Sequence, residues 1–428
     1  MDPRTSLHHR IFSGLCMMLA FFLTFTVRLL PLIIALMVVN WLLEPGYKTR
    51  FRAVFHDRKR LLTLCFPILY LLYLLSMFYS EDTEYGWFDL EIKLSMFIFP
   101  VLVATSGVTI LNRTMFEKIL VMFVAGTVTG ALLFFSHSVY LSYTTLLLHP
   151  FFYGNLSWYM HASYLSMYSC FAIAAIACLF VRKNHTLRST TRMVMAVMAM
   201  MLTIFIILLS SRIGILMLIL LGLGIAVFVI FRLKRPLAGI GFITGFTALM
   251  LIFSMLFPFP MGRFISAKQS VEGMDKRVTG QNTEAAATRL IVWKSAIELI
   301  RMHLLTGVGV GDVKDEMMKK YQKNNLQQAF DQKLNCHNQY LQTAVALGVP
   351  GMLVLILVLL IPAVFALKRN FYFYFVFLVI MALNMIFESM MEIQAGTIFY
   401  GFLNTILFWY GINHDMLHQD LPAEGIPV

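Results

Sequence analysis

The sequence predicts an all-α polytopic membrane protein of about twelve transmembrane helices. Three observations carry that prediction. Of 428 residues, 59% are hydrophobic and only 13% are charged, a balance outside the range of soluble domains. Apolar runs able to cross ~30 Å of hydrocarbon recur along the chain. The segments between them alternate in charge. A transmembrane β-barrel would instead show alternating segments of about ten residues, and none is present.

The runs fall at 11–27, 29–43, 61–78, 94–110, 118–136, 162–181, 193–209, 213–231, 237–257, 338–366, 371–387 and 395–411. The second is short. The tenth is long, with a bend expected near Gly348-Val349-Pro350-Gly351. No small-residue cleavage site follows the first run, so it reads as a retained helix. One set of connecting segments holds Arg4 and Arg10, the basic stretch from Lys48 to Arg60, Arg113 and Lys118, Arg182 to Arg192, Arg232 to Arg235, and Lys368 with Arg369. The short segments of the other set hold only Arg28, Lys93 and Arg212. The positive-inside rule places the first set, and with it both termini, in the cytoplasm. The net charge of +12 is then a topology signal with attraction to anionic membrane lipids, not a nucleic-acid footprint.

The outer side carries an acidic loop, Tyr79–Ile92, an aromatic loop, His137–His161, and one large segment, 258–336, between the ninth and tenth spans. The whole chain, 1–428, reads as a single integral membrane domain that contains this segment. Residues 262–283 are polar and read as irregular. Residues 284–303 read as an amphipathic helix: Leu290, Trp293, Ile297, Ile300 and Leu304 form an apolar stripe at steps of three and four. Lys294, Glu298 and Arg301 lie opposite and can pair along it. A second helix is expected with Asp312 as N-cap and Asp315 in its first turn.

Chemistry is expected where polar residues meet the outer membrane surface. His337 lies in Cys336-His337-Asn338, at the re-entry to a membrane helix. A neutral imidazole can act as general base toward a hydroxyl, and Asn338 with Gln339 offers hydrogen bonds to a sugar or phosphate. An interfacial histidine bonded to backbone is the plainer alternative. Arg212, in a short turn between two apolar helices, is costly unless it snorkels or holds a partner. Arg289 borders the amphipathic stripe, where a salt bridge to Glu284 is the plainer reading. Two guanidinium groups on one side of the membrane could grip a pyrophosphate in bidentate fashion and stabilise the charge it gathers as it leaves. His161, Tyr164 and Lys93 are further candidate substrate contacts, with interfacial anchoring and snorkelling as their alternatives.

Other chemistries find little support. No D-x-D occurs, and Glu81-Asp82-Thr83-Glu84 reads as a solvated cluster, so neither a metal nor another cofactor is expected. Gly307-Val308-Gly309-Val310-Gly311 lacks the GK[ST] ending of a phosphate loop and reads as a tight turn. No G-x-S-x-G is present. The cysteines show no C-x-x-C spacing, and no disulfide framework is expected.

Taken in order, Arg212 in Ser-Arg-Ile-Gly, Arg289 with Trp293, Gly307-Val308-Gly309, and His337-Asn338 with Leu341 and Gly348 resemble the pattern of the O-antigen ligase family, in the O-antigen ligase/polymerase superfamily. Leu90–Ser95, His161–Ser166 and Glu388–Gly396 also look familiar, so the resemblance covers nearly the whole chain. It implies a GT-C-like glycosyltransferase of the bacterial inner membrane with its active site on the periplasmic face. The donor would be an undecaprenyl-pyrophosphate-linked glycan and the acceptor the lipid A-core. His337 would activate the acceptor hydroxyl, and Arg212 with Arg289 would hold the pyrophosphate. An O-antigen polymerase and a protein O-oligosaccharyltransferase would use the same donor and the same groups. A lipid-linked glycan transporter would instead show charge deep in its spans or repeated halves, and neither is seen.

Overall fold

The computed structural model describes residues 3–106, 111–146, 149–183, 187–256 and 285–414. Every regular element among them is helical. Residues 262–283 and Glu284, for which the sequence predicts an irregular stretch and an ion-pair partner, lie outside the described residues.

Each of the twelve apolar runs has a helical counterpart, but length and composition alone qualify fewer as spans. Six helices are long and apolar enough to cross a membrane: Arg113–Thr145, Ala162–Arg182, Ser189–Leu208, Arg212–Arg232, Gln339–Lys368 and Gln394–Asn413. A seventh exists if the bent pair Leu30–Leu43 and Tyr47–His56 is one span. Four other runs form shorter apolar helices, among them Ser95–Thr105 and Tyr372–Phe387, and the first run lies in the 20-residue helix Pro3–Phe22, which is not among the six. The protein is a multi-pass membrane protein, and the expected twelve spans become six or seven by this measure. The aromatic loop is also shorter than expected. The 33-residue helix Arg113–Thr145 runs on past His137, and at 1.5 Å per residue it reaches about 50 Å, well beyond the hydrocarbon.

The Gln394–Asn413 helix is buried along nearly its whole length. It packs against Ser95–Thr105, and a Cβ on Gly401 would lie 2.9 Å from the Ser95 carbonyl oxygen. Small residues allow such backbone approach where lipid supplies no hydrophobic drive between helices. Aromatic rings fill the space around it, including Phe116 stacked on Tyr410 with centroids 3.9 Å apart.

The Gln339–Lys368 helix breaks at Gly348, where φ is 70°. The break follows from the chain. Pro350 has no N–H to offer Ala346, and the N–H of Val349 bonds the Leu304 carbonyl at 2.8 Å. The two carbonyls thus freed are taken by the glycine-rich turn: Val308 N–H donates to Val345 at 2.8 Å and Gly309 N–H to Ala346 at 3.0 Å. Only glycine fits that approach, since a Cβ on Gly307 would lie 2.4 Å from the Ala346 carbonyl. On its other side the turn bonds the Ser76 and Ser80 hydroxyls through Val310 and Gly311 N–H, each at 3.1 Å. The turn expected at Gly307–Gly311 is therefore also the plug that satisfies a broken membrane helix.

The outer amphipathic helix spans Ala285–Met302, close to expectation, but its buried face is turned. Val292, Ser295, Ala296, Leu299 and Ile300 are buried, whereas Ile297 and Leu304 of the expected stripe are exposed. Contact with the Gln339–Lys368 and Val313–Lys323 helices selects that face, and small residues fit it better than the bulkier ones. Glu298 feels the charge of Lys294 on its own helix, but its close ion pair is elsewhere. It pairs with Lys320 of the next helix at 2.9 Å. Asp312 stands at the N-cap of Val313–Lys323 without a side-chain cap bond. Its carboxylate instead accepts from the N–H groups of Glu81 and Asp82, the shortest contact 2.8 Å, and so ties the acidic loop to the outer segment.

Candidate functional site

Residues 336–338 are pinned at every step. The Trp293 indole donates to the Cys336 carbonyl at 3.0 Å, and Cys336 N–H donates to the Gln342 side chain at 3.1 Å. His337 N–H donates to Asn335 Oδ1 at 3.0 Å. Asn338 Oδ1 accepts from Leu341 N–H at 3.0 Å and caps the Gln339–Lys368 helix. His337 itself has φ 45°, a left-handed conformation that costs a non-glycine residue about 1–2 kcal/mol. Ser210, just before Arg212, shares the feature at φ 49°. Trp293 and Asn338 thus act first on this backbone, fixing where the imidazole projects.

The centre of the cluster is Glu388, at the end of the Tyr372–Phe387 helix. Its side chain is 8% exposed. Isolated burial of an ionised carboxylate costs several kcal/mol, and four side chains meet that cost. Arg289 donates to Oε1 at 2.7 Å, and the Ser163 hydroxyl donates to the same oxygen at 3.2 Å. His161 Nδ1 lies 3.9 Å from it. The other oxygen, Oε2, is 3.2 Å from His337 Nδ1. Burial alone would raise the carboxyl's pKa, but the His337 bond and the Arg289 and His161 charges outweigh it and hold Glu388 below the usual carboxylate range. A carboxylate can only accept, so Nδ1 of His337 carries a proton, and in the neutral imidazole the lone pair is then on Nε2. The His337 and Arg289 side chains are 30% and 25% exposed, so both remain reachable from outside.

The expected residues are therefore brought together unevenly. His337, Arg289 and His161 converge, on a glutamate rather than on one another. Arg289 pairs with Glu388 of the distant 388–393 loop. Arg212 opens the neighbouring helix, whose Gly214 packs on Ser166, one turn along from Ser163, so it lies at the same end of the bundle. Tyr164 is buried at this end beside Gly396.

Lys93 takes a different place. Its side chain has no exposed surface, which leaves no room for snorkelling or for an open phosphate contact. Its ammonium lies 2.6 Å from Asp89 and 3.1 Å from Glu392. Gln339 continues the network, donating to Glu392 at 3.2 Å and accepting from Met391 N–H at 2.6 Å. Burial, with help from Glu392, pushes the Asp89 carboxyl above the usual carboxylate range against the pull of Lys93. This trio holds the 388–393 loop that carries Glu388.

Glu388, Glu392 and Ser163 lie in segments noted only for their resemblance and were given no role from the sequence, and Asp89 was not named. One signal for them exists. Glu388 and Glu392 are the only acidic residues between Asp331 and Asp415, and a carboxylate at the end of an apolar helix needs a partner. Among the described residues, no group of three or more His, Cys, Asp or Glu side chains is placed to hold a metal ion.

The cluster and the basic connecting segments occupy opposite ends of the bundle. Glu388 and Glu392 precede the Gln394 end of the buried helix Gln394–Asn413. Lys59 bonds Asn413 at the other end, and Arg182 bonds Tyr410 there. Lys59 and Arg182, both of the basic set, thus lie at the end of this helix opposite Glu388.

Comparison with known proteins agrees with the resemblance carried by these residues. Residues 196–356 match a family described as O-antigen ligase. The match includes Arg212, Arg289, Trp293, His337 and Asn338 and stops short of Glu388. No curated protein matches the chain.

Proposed function

We propose, from the match of residues 196–356 to the O-antigen ligase family, that the Glu388 cluster is the site of a glycosyl transfer of the ligase or polymerase type. Its donor is a glycan on undecaprenyl pyrophosphate. Its acceptor is a hydroxyl of the lipid A-core, and the reaction takes place at the periplasmic face of the inner membrane.

His337 Nε2 takes the proton of the acceptor hydroxyl as its oxygen attacks the anomeric carbon of the donor sugar. The bond from that carbon to the phosphate oxygen breaks, and its electron pair leaves with the pyrophosphate. Arg289, which uses one N–H on Glu388 and has others to offer, holds that leaving group with Arg212. Glu388 keeps His337 in the tautomer with Nδ1 protonated and stabilises the imidazolium formed during transfer. His161, exposed beside Glu388, flanks the sugar. No step draws on a metal.

The observation that carries the reading is one buried carboxylate bonded through one oxygen to His337 and through the other to Arg289. Base and cation are thereby set side by side, as proton removal and leaving-group stabilisation require of one reaction.

The test is transfer by purified protein with undecaprenyl-pyrophosphate glycan as donor and lipid A-core as acceptor, with EDTA present, beside His337→Ala. Wild type is expected to place glycan on lipid A-core. His337→Ala is expected to fall by two to four orders of magnitude while inserting normally. Elongation of the donor, or glycan on protein, would replace the ligase by the polymerase or protein-acceptor reading. Donor moved intact without release of undecaprenyl pyrophosphate would replace transfer by transport.

A further inference from the structure

At the other end of the bundle from Glu388, the Leu30–Leu43 and Tyr47–His56 helices meet at 99°. That bend turns the second helix across the direction of the first. The elbow is built. Pro45 and Gly46, the latter at φ 89°, make the turn. Arg50 folds back to close it, donating to the Glu44 carboxylate at 2.7 Å, the Glu44 carbonyl at 2.9 Å and the Trp41 carbonyl at 3.1 Å. It thereby satisfies carbonyls at the C-terminus of the first helix. His9 also reaches Glu44, at 3.3 Å, and the Trp41 indole donates to Thr105 at 2.8 Å, fixing the elbow to the body of the protein.

The surface that this elbow presents is patterned. Arg50 and Val54 are buried. Tyr47, Phe51 and Phe55, four residues apart and so on one stripe, are 39%, 42% and 78% exposed. Trp41 supports the first two edge-on. Lys48 and Arg52 form the adjacent stripe, followed by Arg58 just past the helix, and all three are exposed. A solvated basic face would not set three aromatic rings beside its charges. Aromatic rings at the depth of the headgroups, with Lys and Arg beside them, are the pattern of an interfacial helix on an anionic leaflet.

We propose that the Tyr47–His56 helix is a binding surface for anionic lipid headgroups. Tyr47, Phe51 and Phe55 enter the headgroup–acyl boundary, and Lys48, Arg52 and Arg58 hold lipid phosphates. The surface is independent of the transfer reaction proposed above.

The test is amide hydrogen exchange of residues 47–56 in the full chain, in nanodiscs of phosphatidylcholine alone or with phosphatidylglycerol. Exchange is expected to slow on the order of tenfold with the anionic lipid, as several basic residues near a charged surface require, while the Val313–Lys323 helix is unchanged. Lys48→Glu/Arg52→Glu/Arg58→Glu, all exposed, is expected to remove the difference. Phe51→Ser/Phe55→Ser is expected to speed exchange in both lipids. Equal exchange in the two nanodiscs, or a slowing shared by both helices, would overturn the proposal. The same slowing produced by inorganic phosphate in phosphatidylcholine would reduce the surface to a free-anion site and also overturn it.

Discussion

Arg289 and Glu388 are 99 residues apart in the chain, yet a guanidinium nitrogen of the first lies 2.7 Å from Oε1 of the second. The same carboxylate reaches His337 through Oε2 at 3.2 Å. A cation on the outer helix and an imidazole at the re-entry of a membrane helix therefore share one anion, and a change at Glu388 reaches both.

Glu388→Gln keeps the shape and removes the charge. The amide can offer Nδ1 of His337 either a donor or an acceptor, so the imidazole loses its enforced tautomer. The turnover number is expected to fall on the order of a hundredfold or more, with a smaller change in KM for the donor and a shifted pH–rate profile. An unchanged pH profile would mean that Glu388 only supports the fold.

Stability at acid pH should follow the same carboxylate. Its folded pKa is depressed, through the His337 bond and the Arg289 and His161 charges that outweigh burial. Its contribution is then complete above the unfolded value of about 4.3 and is lost as pH falls through the folded value. The thermal midpoint of the solubilised protein is expected to fall below about pH 4.3, and Glu388→Gln is expected to flatten that fall. A drop of equal depth in the variant would place the acid sensitivity elsewhere.

Arg289→Lys retains charge but not the planar fork. An ammonium can satisfy Glu388 or a phosphate, but it lacks the geometry to grip both. Transfer is expected to drop at least tenfold, chiefly through weaker leaving-group stabilisation. Measured kcat/KM near wild type would remove the phosphate role.

Lys93→Met leaves Asp89 and Glu392 buried without their ammonium. Loss of about 3–5 kcal/mol is expected, read from denaturant or thermal unfolding. Adding Asp89→Asn should recover part of it, because one of the two stranded carboxylates is gone. Unfolding at the wild-type midpoint would show that the trio does not secure the 388–393 loop.

Local pattern made the membrane helices legible. Apolar runs without buried charge can only be helices in lipid, and the bend at Gly348 could be read because Pro350 removes a donor. The outer helix at Ala285–Met302 was legible as a helix but not in its buried face. Ile297 and Leu304 fit the periodicity and Val292, Ser295 and Ala296 less so, yet the neighbouring helices accept the smaller set. His337 and Arg289 stood out because polar groups are few in this chain. Glu388 did not, since its meaning depends on partners from three other segments.

The sequence by itself determined the class of protein, the apolar helices, the charge alternation and the residue types able to hold phosphate and take a proton. These are properties of single segments, settled by hydrocarbon thickness, backbone satisfaction and side-chain chemistry. Only the tertiary structure decided that Arg289 and His337 meet through Glu388, that Lys93 is buried between Asp89 and Glu392, and that the glycine turn fills the break at Gly348. Each of these depends on a carboxylate or carbonyl that must find its partner across the fold once water is excluded. No spacing along the chain records which partner that is.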